Sequence, residues 1–125
     1  MNWGEMYKQK LCSNEEAVSL IKTGDKVAFP LGNGIPVSLL EALAERSDLD
    51  YVEVYGGLEI FPLKLFNAQF LEANPHFKYT SLYCGIFIRE AVKKKAATYL
   101  PVRLAQGPEI VDKGHMIPDV LMLTV

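Results

Sequence analysis

The sequence is poor in the residues that build metal and disulfide frameworks. Among its 125 residues are two cysteines, Cys12 and Cys84, and two histidines, His76 and His115. Two cysteines are too few for a disulfide scaffold. No Cys or His pair stands at the close spacing of a zinc site, so no metal is expected. Charge of one sign is also lacking. Thirteen basic against fifteen acidic residues leave a net −2, and no strong field directs the chain to nucleic acid or an anionic membrane. Apolar runs end after a few residues, far short of the ~20 that cross a bilayer. The opening residues have neither the basic start nor the apolar stretch of a secretory signal, so a cytoplasmic location with reduced thiols is expected.

What is present is a regular alternation of short apolar runs and amphipathic stretches. Ser13 with Glu16 forms a capping box for a helix from Asn14 to about Thr23, and Ala17, Leu20 and Ile21 supply its apolar stripe. Gly24 is a natural stop. A shorter helix is expected over Trp3 to Lys10. Val27–Phe29 reads as a buried strand. Pro36 suits the first position of a helix running to about Arg46, with Leu39, Leu40 and Leu43 inward. Tyr51–Tyr55 is a second strand closed by Gly56 and Gly57. Pro62–Ala73 is a helix or an irregular cover. Phe77–Tyr83 is a strand, Ile88–Ala97 a helix, and Tyr99–Leu104 a strand held to an edge by Pro101. A helical turn follows at Pro108–Val111, and Val120–Val125 is a last strand. This pattern predicts an α/β domain, a mostly parallel sheet with helices on both faces. A buried parallel strand normally feeds a loop at its carboxyl end, so the natural sequence is expected to continue past Val125.

The loop Gly32-Asn33-Gly34-Ile35-Pro36 follows a strand and opens a helix, the setting in which backbone amides meet an anion. A dinucleotide fingerprint fails there, because its third glycine falls on Val37; nor does a Gly-Lys-Ser/Thr follow. The loop is either a tight turn or a substrate-contacting loop. Cys84-Gly85 sits at a strand end, where a nucleophile could stand. Neither His76 nor His115 lies in a recognisable general-base motif, so a small buried residue is the plainer reading. Lys93-Lys94-Lys95 reads as a solvated helix face. Arg89, near the start of that helix, is a candidate to bind or position a carboxylate or phosphate.

Several blocks taken in order resemble the acetyl-CoA hydrolase/transferase family. They are Trp3-Gly4-Glu5-Met6-Tyr7, Ser13–Val18, Ile21–Val27, and the Gly32–Pro36 loop with Leu39, Leu40, Ala42 and Leu43. Arg89-Glu90-Ala91-Val92 with Tyr99-Leu100-Pro101-Val102 completes the set. The branch is similar to the 4-hydroxybutyrate and butyrate–acetate CoA-transferases. The match is weakest from Leu58 to Lys78, and a family glycine falls on Lys95.

The resemblance implies a NagB/RpiA/CoA-transferase-like fold and residues 1–125 as a partial N-terminal domain. It implies transfer of CoA from an acyl-CoA to a small carboxylate through a glutamyl–CoA thioester. The glutamate belongs to the C-terminal half of the family, so no catalytic residue is expected here, and neither Glu53 nor Glu59 is put in its place. By position, substrate contacts fall on Gly32, Asn33, Gly34, Tyr55, Gly56, Gly57, Cys84 and Gly85, with Arg89 behind. Coenzyme A enters as substrate, with no separate cofactor. The expected partners are acyl-CoA and a carboxylate, the C-terminal half of the same protein, and further copies in a homo-oligomer. Neither nucleic acid nor membrane is among them. The rival readings are an acetyl-CoA hydrolase of the same family and a non-catalytic α/β ligand-binding or assembly module.

Overall fold

A computed structural model describes residues 2–124. Five strands form one all-parallel sheet in the order β4-β3-β2-β1-β5. They are β1 (Lys26–Ala28), β2 (Val52–Gly56), β3 (Phe77–Ser81), β4 (Thr98–Tyr99) and β5 (Val120–Leu121). The helices are α1 (Trp3–Lys10), α2 (Asn14–Val18), α3 (Val37–Ala44), α4 (Ala68–Ala73), α5 (Arg89–Lys93) and α6 (Gly107–Asp112). No described helix is long and apolar enough to cross a membrane.

The sheet register follows from side-chain alternation. Val27, Val54 and Tyr79 lie in one row across β1, β2 and β3, and Val52 stands beside Phe77. These point to the same face, and all are buried. Onto them pack Val18 and Ile21 from the α2 region, Leu40 and Leu43 from α3, Leu65 and Phe66, Leu71 from α4, and Ile88 with Ala91 from α5. Phe29, Phe66 and Tyr79 form an aromatic cluster with ring centroids 5.3–6.3 Å apart. The other face carries the alternate residues, with Lys26, Glu53 and Lys78 in one row and Ala28, Tyr55, Thr80 and Thr98 in the next. None of these is fully buried. The connection from β4 to β5 takes the chain from one sheet edge to the other and carries α6, which has no buried residue. One face is therefore densely covered and the other thinly.

Several elements are shorter than the sequence suggests. α2 ends at Val18, and residues to Gly24, itself at φ +95°, form turns. Pro36 caps α3 instead of opening it. α5 stops at Lys93 because Lys95 takes the left-handed conformation at φ +61°. That is the position where the family glycine is expected. A left-handed residue at this position ends the helix, and glycine adopts that conformation without a Cβ penalty. The segment left open between helix and cover is both: a 3₁₀ turn at Lys64–Phe66 and then α4, capped by Asn67. β4 lies at an edge, as Pro101 requires, and ends at Tyr99, before it. β5 forms the opposite edge, and the last residue of the expected strand, Val125, lies outside the described residues.

Candidate functional site

β1, β2 and β3 are adjacent and parallel, so their carboxyl ends open on the same edge of the sheet. This is where open α/β sheets place their ligands. Three loops leave that edge: residues 29–36, 57–60 and 82–85. Leu58 donates its N–H to the Tyr83 carbonyl at 2.8 Å, and Leu82 donates to the Gly56 carbonyl at 2.8 Å, sewing the second and third loops together. Gly32, at φ +58°, brings the first loop under Leu58; a Cβ on it would lie 3.3 Å from the Leu58 Cδ2. Leu58 itself has φ +51°, an uncommon conformation for a residue with a Cβ.

The glycines are required by close approach. A Cβ on Gly57 would sit 2.8 Å from the Tyr83 nitrogen, and one on Gly85 would sit 2.3 Å from the Glu59 nitrogen. Both contacts are with backbone, which cannot swing aside. Gly56 faces the Phe29 ring at similar closeness.

Glu59 lies at the centre of this junction and is completely buried. Its Oε1 accepts from the Tyr79 hydroxyl at 2.8 Å and its Oε2 from the Gly85 N–H at 2.7 Å. Burial, with the Glu59 charge next to it, holds the Tyr79 hydroxyl well above its ordinary pKa. The neighbouring Ser81 is also fully buried, and its Oγ has no hydrogen-bond partner among the described residues. Sequence reasoning set Glu59 aside. Its one signal is a lone acid inside the apolar run Leu58-Glu59-Ile60-Phe61.

Of the residues nominated from sequence, Gly32, Gly34, Gly56, Gly57, Cys84 and Gly85 belong to this edge. Cys84 is half-buried. Burial and the Glu59 charge raise its thiol pKa, while the Arg89 charge lowers it. Arg89 opens α5, is exposed, and has no ion pair among the described residues. Asn33 is exposed on the first loop. Tyr55 is not at this edge in its side chain. Strand alternation turns its ring to the thinly covered face, where its hydroxyl donates to Glu53, as does that of Tyr51. Those two hydroxyls depress the Glu53 carboxyl pKa. His76 precedes β3 at its amino end and is no base for Cys84 at the carboxyl end. Lys93, Lys94 and Lys95 are exposed. The first two pair with Glu90 and Glu72 at 4.0 and 3.8 Å, as a solvated helix face would. No group of three metal-binding side chains occurs among the described residues.

The model of the acetyl-CoA hydrolase/transferase N-terminal domain matches residues 1–124. The chain belongs to that family. Among curated relatives, 4-hydroxybutyrate coenzyme A transferase of Clostridium kluyveri is 31% identical, over all of this chain and 29% of its own length. Butyryl-CoA:acetate CoA-transferase of Anaerostipes caccae is 29% identical, over all of this chain and 28% of its own. The crystal structure of RipA from Yersinia pestis superposes with a TM-score of 0.84 at 27% identity, covering the whole of this chain and 31% of RipA. The chain thus spans less than a third of the length of these relatives.

Proposed function

We propose that this chain forms one wall of the substrate cleft in a CoA-transferase. The full-length protein would pass CoA from an acyl-CoA to a small carboxylate. The observation that carries this reading is the junction of three glycine-bearing loops at the carboxyl edge of β1, β2 and β3. The named activities of the relatives support the class of reaction. Gly32, Gly34, Gly57 and Gly85 let the loop backbones pack closely enough to form one wall, and Arg89 brings a positive charge behind Cys84 toward a carboxylate or phosphate. The nucleophile, a glutamate, comes in this reading from the C-terminal part of the protein. A carboxylate is a weak nucleophile in water, so positioning and desolvation by the two parts together must supply its reactivity.

The test is an exchange assay with labelled acetate and acyl-CoA. The 125-residue chain alone is expected to give no exchange. The full-length protein is expected to exchange, and borohydride is expected to reduce its glutamyl–CoA thioester, releasing CoA and leaving the glutamate as its alcohol, which mass spectrometry reads. Exchange by the 125-residue chain would show that its own residues suffice and would overturn the assignment. A full-length protein that only hydrolyses acyl-CoA would place it with the hydrolases of the family.

A further inference from the structure

Glu59 is a carboxyl group with no water contact, two hydrogen-bond donors and no cation paired with it among the described residues. Burying such a group is costly, and an apolar side chain of similar volume would be easier to place beside Tyr79, whose ring packs on Phe66. Both partners of Glu59 come from one strand and its exit. Tyr79 lies within β3, while Gly85 ends the loop that follows. Glu59 itself stands in the loop that follows β2. The carboxyl group therefore ties the exit of β2 to the exit of β3 from inside, while the Leu58–Tyr83 and Gly56–Leu82 backbone bonds tie them from outside.

We infer that Glu59 is a positioning residue. It accepts the Gly85 N–H and so sets the conformation of the Cys84–Gly85 segment against Leu58. It also commits the Gly85 amide to the protein, so that this amide is not available as a donor to substrate. The two loops behave as one rigid edge instead of two independent ones. The inference rests on the reading of this edge as a substrate wall only for its effect on turnover. The loop geometry stands by itself.

Cys84 reports on this arrangement directly. Its thiol is next to Gly85, is half-buried, and is held high by burial and by the charge of Glu59. In the 125-residue chain carrying Cys12→Ser, Cys84 is the one remaining thiol.

The experiment compares Glu59→Gln, Glu59→Leu and Tyr79→Phe by amide hydrogen exchange at Gly85 and by the pH profile of Cys84 alkylation. Gln can accept from the Gly85 N–H through its carbonyl oxygen and donate through its amide N–H to a lone pair of the rotatable Tyr79 hydroxyl, so Glu59→Gln is expected to keep Gly85 protected. It is also expected to shift the alkylation profile to lower pH, because the charge is gone. Glu59→Leu is expected to speed Gly85 exchange about tenfold or more, the factor set by loss of a hydrogen bond to a charged acceptor. Val54 in β2 is the internal reference and stays protected. Should Glu59→Leu fail to fold, Tyr79→Phe, which removes the donor that holds Oε1 and so frees the carboxyl group to swing off the Gly85 N–H, is expected to speed Gly85 exchange at unchanged Val54 protection. Unchanged Gly85 exchange in Glu59→Leu, or in Tyr79→Phe if that variant must serve, overturns the inference. So does equal loss of protection in Glu59→Gln and Glu59→Leu.

In the full-length protein, Glu59→Gln is expected to hold kcat/KM within a few-fold and Glu59→Leu to lower it about tenfold. A Glu59→Gln variant as impaired as Glu59→Leu, with Gly85 still protected, would mean that the charge acts on the reacting groups and would overturn a positioning role. A wild-type protein without exchange activity would remove the transferase reading while leaving the amide-exchange result to decide the role of Glu59.

Discussion

At the scale of single residues, the site edge is a problem of space. Three backbones converge where β1, β2 and β3 end, and the loops can meet because side chains are absent at Gly57 and Gly85. Gly85→Ala is the sharpest probe of this. Its Cβ would press on the Glu59 backbone nitrogen and carbonyl at 2.3 and 2.6 Å, and also displace the carboxyl oxygen that Gly85 binds. The expected destabilisation is at least about 2 kcal/mol, from strain added to a lost buried hydrogen bond. Urea unfolding of the 125-residue chain checks it, and a loss below half of that figure would mean the edge is more compliant than its contacts suggest. The glycines were visible in the sequence as turn residues. What made them necessary was not, because Glu59 and Gly85 are 26 positions apart and meet through strand pairing.

At the scale of elements, the helices are short and depend on tertiary anchors. None of the described helices exceeds eight residues, short of the ~12–15 at which a helix is even marginally stable by itself. α2 is five residues long, capped at Ser13 by the hydroxyl expected from the capping box. Its far end is held by Arg46, just beyond α3, whose guanidinium donates to the Val18 carbonyl and, at 3.3 Å, to the Ile21 carbonyl. Asp48 fixes that guanidinium from the other side. Arg46→Ala is expected to lower stability by about 1–2 kcal/mol and to speed amide exchange around Ile21, since two carbonyls lose a charged donor at once. Thermal unfolding with exchange mapping measures both; unchanged exchange near Ile21 would contradict the anchor. The cap of α2 was legible from Ser13 and Glu16. The anchor was not, because in the sequence Arg46 marks only the end of a helix and its role depends on how α2 and α3 cross.

At the scale of the whole molecule, coverage is uneven. The core lies on one face of the sheet, and the other carries a row of Lys26, Glu53 and Lys78 under thin cover. α1 buries nothing: Trp3, Tyr7 and Leu11, spaced to share one face of a helix, are 65–70% exposed. Apolar stripes of this kind normally face a partner. The 125-residue chain by itself is therefore expected to self-associate at high concentration, and Trp3→Ser with Tyr7→Ser to reduce that association. Light scattering over a concentration series decides it, and a wild-type chain that stays monomeric throughout would contradict the prediction.

The sequence by itself determined the class of architecture. Alternating Val-Glu-Val-Tyr and Phe-Lys-Tyr-Thr patterns with helix-period stretches between them admit little besides a parallel sheet, since period and capping are local properties. It also determined the family, because the ordered blocks from Trp3 to Val102 are local strings. Tertiary structure decided which nominated residues share a site. Strand alternation sent the Tyr55 ring to the far face while leaving Gly56 and Gly57 at the edge. Pairing of β2 with β3 brought Glu59 onto Gly85 and Tyr79, and buried an acid whose one local mark is the apolar run around it. Register and burial depend on contacts between distant segments, and no window of the sequence contains them.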